Sequence, residues 1–205
     1  MAAETLKTVS GESIQGPLLI TPQIFGDRRG YFFESWNERR FCAELIAAGC
    51  SEDEVQALRF RQDNHSRSSR GVLRGLHFQL PPEPQGKLVR CSFGRIFDVA
   101  VDLRMHSSTY GQWVGATLSA ENQQQLWVPV GFAHGFLTLS EVAEVQYKAS
   151  GFWNRDCERS LRWDDPALAI QWPLEQFSGA TPSLAEKDAE APTLNVLEAA
   201  NEVFA

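Results

Sequence analysis

The chain divides by the period of its apolar positions: two-residue alternation over most of its length, one clear helical stretch, and a polar end. Residues 14–36 read as short strands broken by Pro17, Pro22 and the turn Gly26-Asp27-Arg28-Arg29-Gly30. From Asn37 to Ala48 the period becomes helical. Asn37 can cap the first turn, Glu38 sits in it, Phe41, Leu45 and Ala48 form the apolar stripe, and Gly49 ends it. From Phe60 to about Trp163 strand follows strand. Lys87–Phe93 and Ile96–Leu103 read as a hairpin about Gly94-Arg95. Trp113–Leu118, Leu126–Val128, Phe132–Leu139 and Val142–Ser150 follow, with turns near Gly131 and Ser140-Glu141. Short strands with regular turns predict a mainly β sandwich or barrel. In the run from Phe97 to Leu103, the odd-numbered residues are apolar and should enter a sheet layer. Asp98, Ala100 and Asp102 share the other face, which should meet water or a polar cavity. From Ser183 the chain is polar, with a weak helical patch at Leu194–Phe204, and reads as a surface tail.

Length and charge narrow the class. A chain of 205 residues with no repeat and no long linker fits one domain with a real core. The net charge of −7 repels nucleic acid, so an anionic ligand must be met by a few placed cations in a pocket. No apolar run is long enough to cross a membrane, and the start lacks the pattern of a secretory signal. Cys42, Cys50, Cys91 and Cys157 are scattered without a C-x-x-C pair, which points to reduced thiols in a cytoplasm.

The chemistry-bearing residues concentrate around Gly71-Val-Leu-Arg74-Gly-Leu-His77-Phe-Gln-Leu-Pro, with Lys87 ten residues beyond His77. Without further context, a histidine in an apolar strand is a packing residue. Together with His134, Tyr147 and the stretch Ala185-Glu-Lys-Asp188, however, the set suits proton transfer at carbon. A histidine acts as base near neutral pH, a lysine stabilises a forming enolate oxygen, and a tyrosine returns a proton from another direction. Loops for dinucleotides, for nucleoside triphosphates and for a serine nucleophile are absent from the sequence. Arg74 and His77 are three residues apart, so a regular strand would send them to opposite faces. A shared site therefore requires a bulge, for which Gly75 is the natural place.

Two resemblances sharpen this. Pro129-Val-Gly131-Phe-Ala-His134-Gly-Phe136 resembles the second cupin motif, whereas the His-x-His of the first motif occurs nowhere among His65, His77, His106 and His134. This implies a cupin-type jelly-roll barrel without a metal site. At higher resolution, Phe25-Gly-Asp-Arg-Arg29-Gly-Tyr-Phe-Phe-Glu34, Gln62-Asp-Asn64-His-Ser, the Gly71–Gln79 run, Gln85-Gly-Lys87-Leu-Val-Arg, Gln125-Leu-Trp-Val-Pro, Trp163-Asp-Asp-Pro and Ala185-Glu-Lys187-Asp188 resemble, in order, the dTDP-4-dehydrorhamnose 3,5-epimerase family over residues 14–193. The resemblance implies a dimer that acts on dTDP-4-dehydro-6-deoxy-D-glucose without metal or redox cofactor. It implies His77 as general base, Asp188 as its partner carboxylate, Tyr147 as proton donor and Lys87 beside the C4 carbonyl. Arg29, Glu34, Gln62, Asn64, Arg74, His134, Glu158 and Lys187 fall at sugar-nucleotide contacts, Trp153 where an aromatic ring stacks on thymine, and Phe25 in a segment that reaches a neighbour's pocket. The chain departs from the family pattern at Phe78 and at Phe152-Trp153, where tyrosines are usual. Stacking survives that change, but phenolic hydrogen bonds do not.

Three other functions fit parts of the pattern: a single-centre epimerase or ketoisomerase of another deoxysugar, a metal-dependent cupin oxygenase, and a non-catalytic sugar-binding cupin. Tyr147 favours the double epimerase, the missing His-x-His opposes the oxygenase, and a base together with an acid exceeds what binding needs.

Overall fold

A computed structural model describes residues 1–177 and 181–205. Two antiparallel sheets face each other. The first has the order β1 (Ala2–Lys7), β2 (Ser13–Thr21), β10 (Gln125–Val128), β7 (Lys87–Phe93), β12 (Val142–Ala149), β5 (Gln62–Ser69). The second runs β13 (Glu158–Ser160), β6 (Leu73–Gln79), β11 (Phe132–Thr138), β8 (Arg95–Asp102), β9 (Trp113–Ser119). A small hairpin, β3 (Phe25–Asp27) and β4 (Gly30–Phe32), stands apart from both. This is the expected mainly β sandwich of jelly-roll type.

Apolar residues fill three layers. Val89, Cys91, Ile96, Ala100, Leu126 and Phe136 belong to the core between the sheets. Helices α1 (Glu38–Ala47) and α2 (Glu52–Ala57) cover the outer face of the first sheet, where Phe41, Leu45 and Val55 pack on Leu18, Leu88 and Trp127. Asn37 caps α1 by accepting the Arg40 N–H, and Gly49 follows its end at φ +98°. Ala48 is exposed, so the buried stripe of α1 is Phe41 and Leu45 alone. Helix α2, not anticipated from the pattern, carries a Ser51–Glu54 capping box.

Three expectations change and one narrows. First, Pro17 does not break a strand, because β2 runs through it. Its missing N–H falls between Leu18 and Ser13, where the pairing with β1 shifts register and the pairing with β10 has ended. Second, β7 and β8 do not form a hairpin. They lie in opposite sheets, and the chain crosses between them at Gly94 (φ +73°). A one-residue connection is too short for a hydrogen-bonded hairpin, and both strands bury apolar residues in the same inter-sheet core. Third, the water-or-cavity alternative for Asp98 and Asp102 resolves against water; both are fully buried. Asp102 accepts hydrogen bonds from Arg104, Ser107 and Thr109. Fourth, the end of the chain is no surface tail. Helix α3 (Glu186–Ala189) and helix α4 (Leu194–Ala199) return to the sandwich, and Leu194, Leu197 and Val203 join the core on the outer face of the second sheet.

Candidate active site

The site begins with an irregularity in β6. His134 pairs with His77, but Phe136 pairs with Arg74, so β6 carries one extra residue opposite β11. Gly75 holds this bulge at φ +116°. Before it Leu73 faces the outer core, and after it Leu76 and Phe78 do. Arg74 and His77 are thereby both turned inward, and both line one cavity of about 490 Å³. A Cβ on Gly75 would lie 2.7 Å from Gly135 Cα and 2.7 Å from the His134 carbonyl oxygen, both backbone atoms. Gly75→Ala is therefore expected to cost about 3 kcal/mol of stability, measurable by denaturant unfolding. A loss below about 1 kcal/mol, within the range of ordinary substitutions, would mean the bulge relaxes.

The short helix α3 supplies the partner of His77. Asp188, on α3, is nearly fully buried, and its Oδ1 lies 2.6 Å from His77 Nε2. Its Oδ2 accepts the N–H of Gly75 at 3.2 Å, tying the bulge and the dyad together. Burial works to raise the Asp188 carboxyl, but the His77 and Gly75 hydrogen bonds and the charge of Lys187 outweigh it and hold it below the usual range. An ionised Asp188 accepts, so His77 carries its proton on Nε2 and leaves Nδ1 as the free base. Burial pushes the His77 imidazole below its ordinary value despite Asp188, so it is neutral and ready to take a proton at neutral pH.

Lys87, at the start of β7, and Tyr147, in β12, reach the cavity from the opposite sheet. The Lys87 Nζ donates to the His77 carbonyl oxygen at 3.3 Å. Burial lowers its ammonium to about 8, against the attraction of Glu158 and Asp98. Burial, reinforced by the charge of Glu158, raises the Tyr147 phenol, which keeps its proton available for donation. At the rim Lys187 pairs with Glu158 at 3.2 Å, and Trp153 stands half-exposed with its backbone N–H donating to Gln62 Oε1 at 3.0 Å. Asn64 lies directly across from Tyr147 on β5, its Oδ1 accepting from Gln62 Nε2 at 2.8 Å.

Thus the structure gathers His77, Asp188, Lys87, Tyr147, Arg74, His134, Trp153, Glu158 and Lys187 around one cavity, with Gln62 and Asn64 beside it. It does not bring Phe25, Arg29 or Glu34 there. Phe25 and Arg29 lie on the exposed hairpin, where Arg29 pairs with Asp27 at 2.6 Å, and Glu34 pairs with Arg40 at 2.8 Å. Two polar groups were not singled out from the sequence. Ser66 lines the cavity with a buried hydroxyl that lacks a partner among the described residues, and Asp98 Oδ1 lies 2.8 Å from His134 Nε2. Asp98 could have been found, since its strand face also carried the unexplained Asp102. Ser66 left no signal beyond its place in Gln62-Asp-Asn64-His-Ser66. Among the described residues no three of His, Cys, Asp and Glu converge as metal ligands.

Comparison with known proteins fits this geometry. A family model described as dTDP-4-dehydrorhamnose 3,5-epimerase matches residues 12–196. The dTDP-4-dehydrorhamnose 3,5-epimerase of Salmonella typhimurium is 52% identical over 183 residues, covering 89% of this chain and 93% of that protein. The dTDP-6-deoxy-D-glucose-3,5-epimerase of Legionella pneumophila, crystallised with dTDP-4-keto-L-rhamnose, superposes with a TM-score of 0.82 at 44% identity, covering 97% of this chain and 96% of that one. A 3'-monoepimerase from Streptomyces bikiniensis in complex with dTDP-quinovose is more distant, at 28% identity and a TM-score of 0.80 over 99% of this chain and 92% of its own. With the family model spanning most of its length and close relatives aligned nearly end to end, the chain belongs to the dTDP-4-dehydrorhamnose 3,5-epimerase family.

Proposed function

We propose that the protein converts dTDP-4-dehydro-6-deoxy-D-glucose to dTDP-4-dehydro-L-rhamnose, a step of dTDP-L-rhamnose biosynthesis, by inverting C3 and C5. The observation that carries this is that the base and the acid stand on opposite sheets of one cavity, His77 on β6 and Tyr147 on β12. Inversion needs a proton removed from one face of the sugar ring and another delivered to the opposite face. The C–H bonds at C3 and C5 both neighbour the C4 carbonyl. His77 Nδ1 takes the proton, the electron pair moves onto the C4 oxygen as an enolate, and the Lys87 ammonium stabilises that charge. Tyr147 then protonates the carbon from the other side. Arg74 and Lys187 offset the diphosphate charge, and Trp153 stacks on the thymine. The chemistry requires no redox cofactor and no metal.

Incubating the enzyme with the substrate in D₂O, without added metal or nicotinamide, tests the reading. Deuterium should appear at both C3 and C5. Incorporation at C3 alone would favour the second reading, a single-centre epimerase, which the shared fold of the Streptomyces 3'-monoepimerase keeps in view. Tight dTDP binding with no exchange would leave only a binding protein.

The enzyme acts as a homodimer in this reading. Phe25, Tyr31 and Phe32 expose large apolar side chains on the hairpin, and Arg29 is 86% exposed at its tip, far more than a folded monomer needs. In a dimer this hairpin delivers Arg29 and Phe25 to the partner's cavity. Mixing His77→Ala chains with Arg29→Ala chains should then restore roughly a quarter of wild-type activity, the share of intact sites in a random mixture of dimers. No recovery would confine Arg29 to its own subunit. The four free thiols, two of them buried, fit a reducing cytoplasm. None of the described helices is long and apolar enough to cross a membrane.

A further inference from the structure

The cavity is flanked by two histidine–carboxylate pairs, and the catalytic reading uses only one. His134 lies directly opposite His77 across the β6–β11 ladder, so the two rings share the inner face as neighbours. Each ring commits its Nε2 to a buried carboxylate, His77 to Asp188 at 2.6 Å and His134 to Asp98 at 2.8 Å. The carboxylates come from opposite sides. Asp188 arrives from the chain's end, whereas Asp98 lies on β8, one step diagonal to His134, since Phe136 pairs with Asp98 and His134 with Ala100. With Nε2 taken up by Asp98, Nδ1 is the remaining polar atom of a ring that lines the cavity.

Asp98 is a poor device for stability. It is 0% exposed, and its Oδ2 has no hydrogen-bond partner among the described residues. A buried carboxylate with one oxygen unpartnered costs more than an apolar residue of the same size would. A group held at such a cost against a ring that faces the reacting sugar has a use in orienting that ring.

We propose that Asp98 is a positioning residue: it fixes His134 with Nε2 protonated and Nδ1 turned into the cavity, where Nδ1 accepts a hydrogen bond from a sugar hydroxyl and holds the ring against His77. The proposal rests on the epimerase reading above. It assigns the two dyads different tasks, proton abstraction to Asp188–His77 and sugar orientation to Asp98–His134. The difference follows from position: the Lys87 ammonium, to which the catalytic reading gives the enolate charge, is bonded to the backbone carbonyl of His77.

The test compares wild type, Asp98→Asn, His134→Asn and the double variant, with turnover of the keto sugar, inhibition by dTDP and thermal stability as readouts. Asp98→Asn should lower kcat by about ten- to a hundredfold, the range seen when the partner orienting a functional histidine is removed. The dTDP inhibition constant should not move, and Tm should be unchanged or higher. In the His134→Asn background the same substitution should add nothing further. Asp98 also attracts the Lys87 ammonium. If that is how it acts, the loss persists in the absence of His134 and the proposal is overturned. It is overturned as well if dTDP affinity and Tm fall together with turnover, which marks a structural role. A wild type that binds dTDP but turns over no keto sugar refutes the epimerase reading itself, whereas an active wild type matched by Asp98→Asn refutes only this one.

Discussion

His77→Ala is expected to abolish deuterium incorporation at both C3 and C5 and to lower turnover by about 10²- to 10⁴-fold, with dTDP affinity retained. One imidazole serves both centres in this geometry, because C3 and C5 flank the same C4 carbonyl and His77 is the ring that combines a cavity-facing Nδ1 with a burial-lowered basicity. His134 sits across the ladder with its Nε2 held by Asp98, and the Lys87 ammonium is bonded to the carbonyl of His77 rather than to that of His134. Asp188→Asn should cost less, since the asparagine oxygen still accepts from His77 Nε2, but the amide cannot balance the imidazolium that forms after proton abstraction. The pH profile gives a second check. Burial holds His77 below its ordinary value, so the neutral base persists through mildly acidic pH, and activity is lost only as the pH falls through that lowered value. NMR of the recovered sugar decides the matter: exchange persisting at C5 but not at C3 in His77→Ala would require a second base.

Much of this site was legible before any coordinates. Arg74 and His77, three apart with a glycine between, demand a bulge if they are to share a cavity, and the register shift is found there. The α1 boundaries followed from Asn37 and Gly49, because caps act on the nearest turn. What the pattern could not give is which sheet each strand joins. β7 and β8 alternate as hairpin strands do, and period two is the same for partners side by side and for partners face to face across a sandwich. The end of the chain misled for a related reason. Leu194, Leu197 and Val203 are sparse among polar residues, and their burial comes from the outer face of the second sheet, which local composition does not see. Asp188 was placed by family resemblance alone; its spacing carries no sign that 111 residues separate it from the histidine it orients. The alternation of β8 leaves Asp98 a choice between water and a polar cavity; only the neighbouring strand shows that a cavity-lining histidine, His134, is its partner.

The second large effect concerns Lys87, and its sign is opposite for activity and stability. Lys87→Met should lower kcat by about 10²- to 10³-fold, the loss typical when one donor to a developing oxyanion is removed. In the wild type the ammonium is lowered by burial to about 8 from its ordinary 10.5. It is charged below that value and neutral above it, so kcat/KM should decline as the pH rises through about 8. Neither Tyr147 nor Cys91 produces that limb: burial raises the phenol, and the thiol is pushed up to about 12. Stability runs the other way. Between about 8 and 10.5 the unfolded chain holds the Lys87 proton and the folded one does not, so unfolding free energy should rise with pH across that window relative to Lys87→Met. Lys87→Arg separates charge from shape. A guanidinium stays charged throughout, so whatever activity it retains should lack the upper limb. Profiles of kcat/KM and denaturant midpoints on the three proteins, from pH 6 to about 10.5, read both signs at once. A wild-type kcat/KM that stays flat beyond pH 10 would mean that the charge of Lys87 is not what holds the enolate. The oxyanion would then have to be assigned to another donor that lines the cavity, such as Arg74 or the Tyr147 hydroxyl.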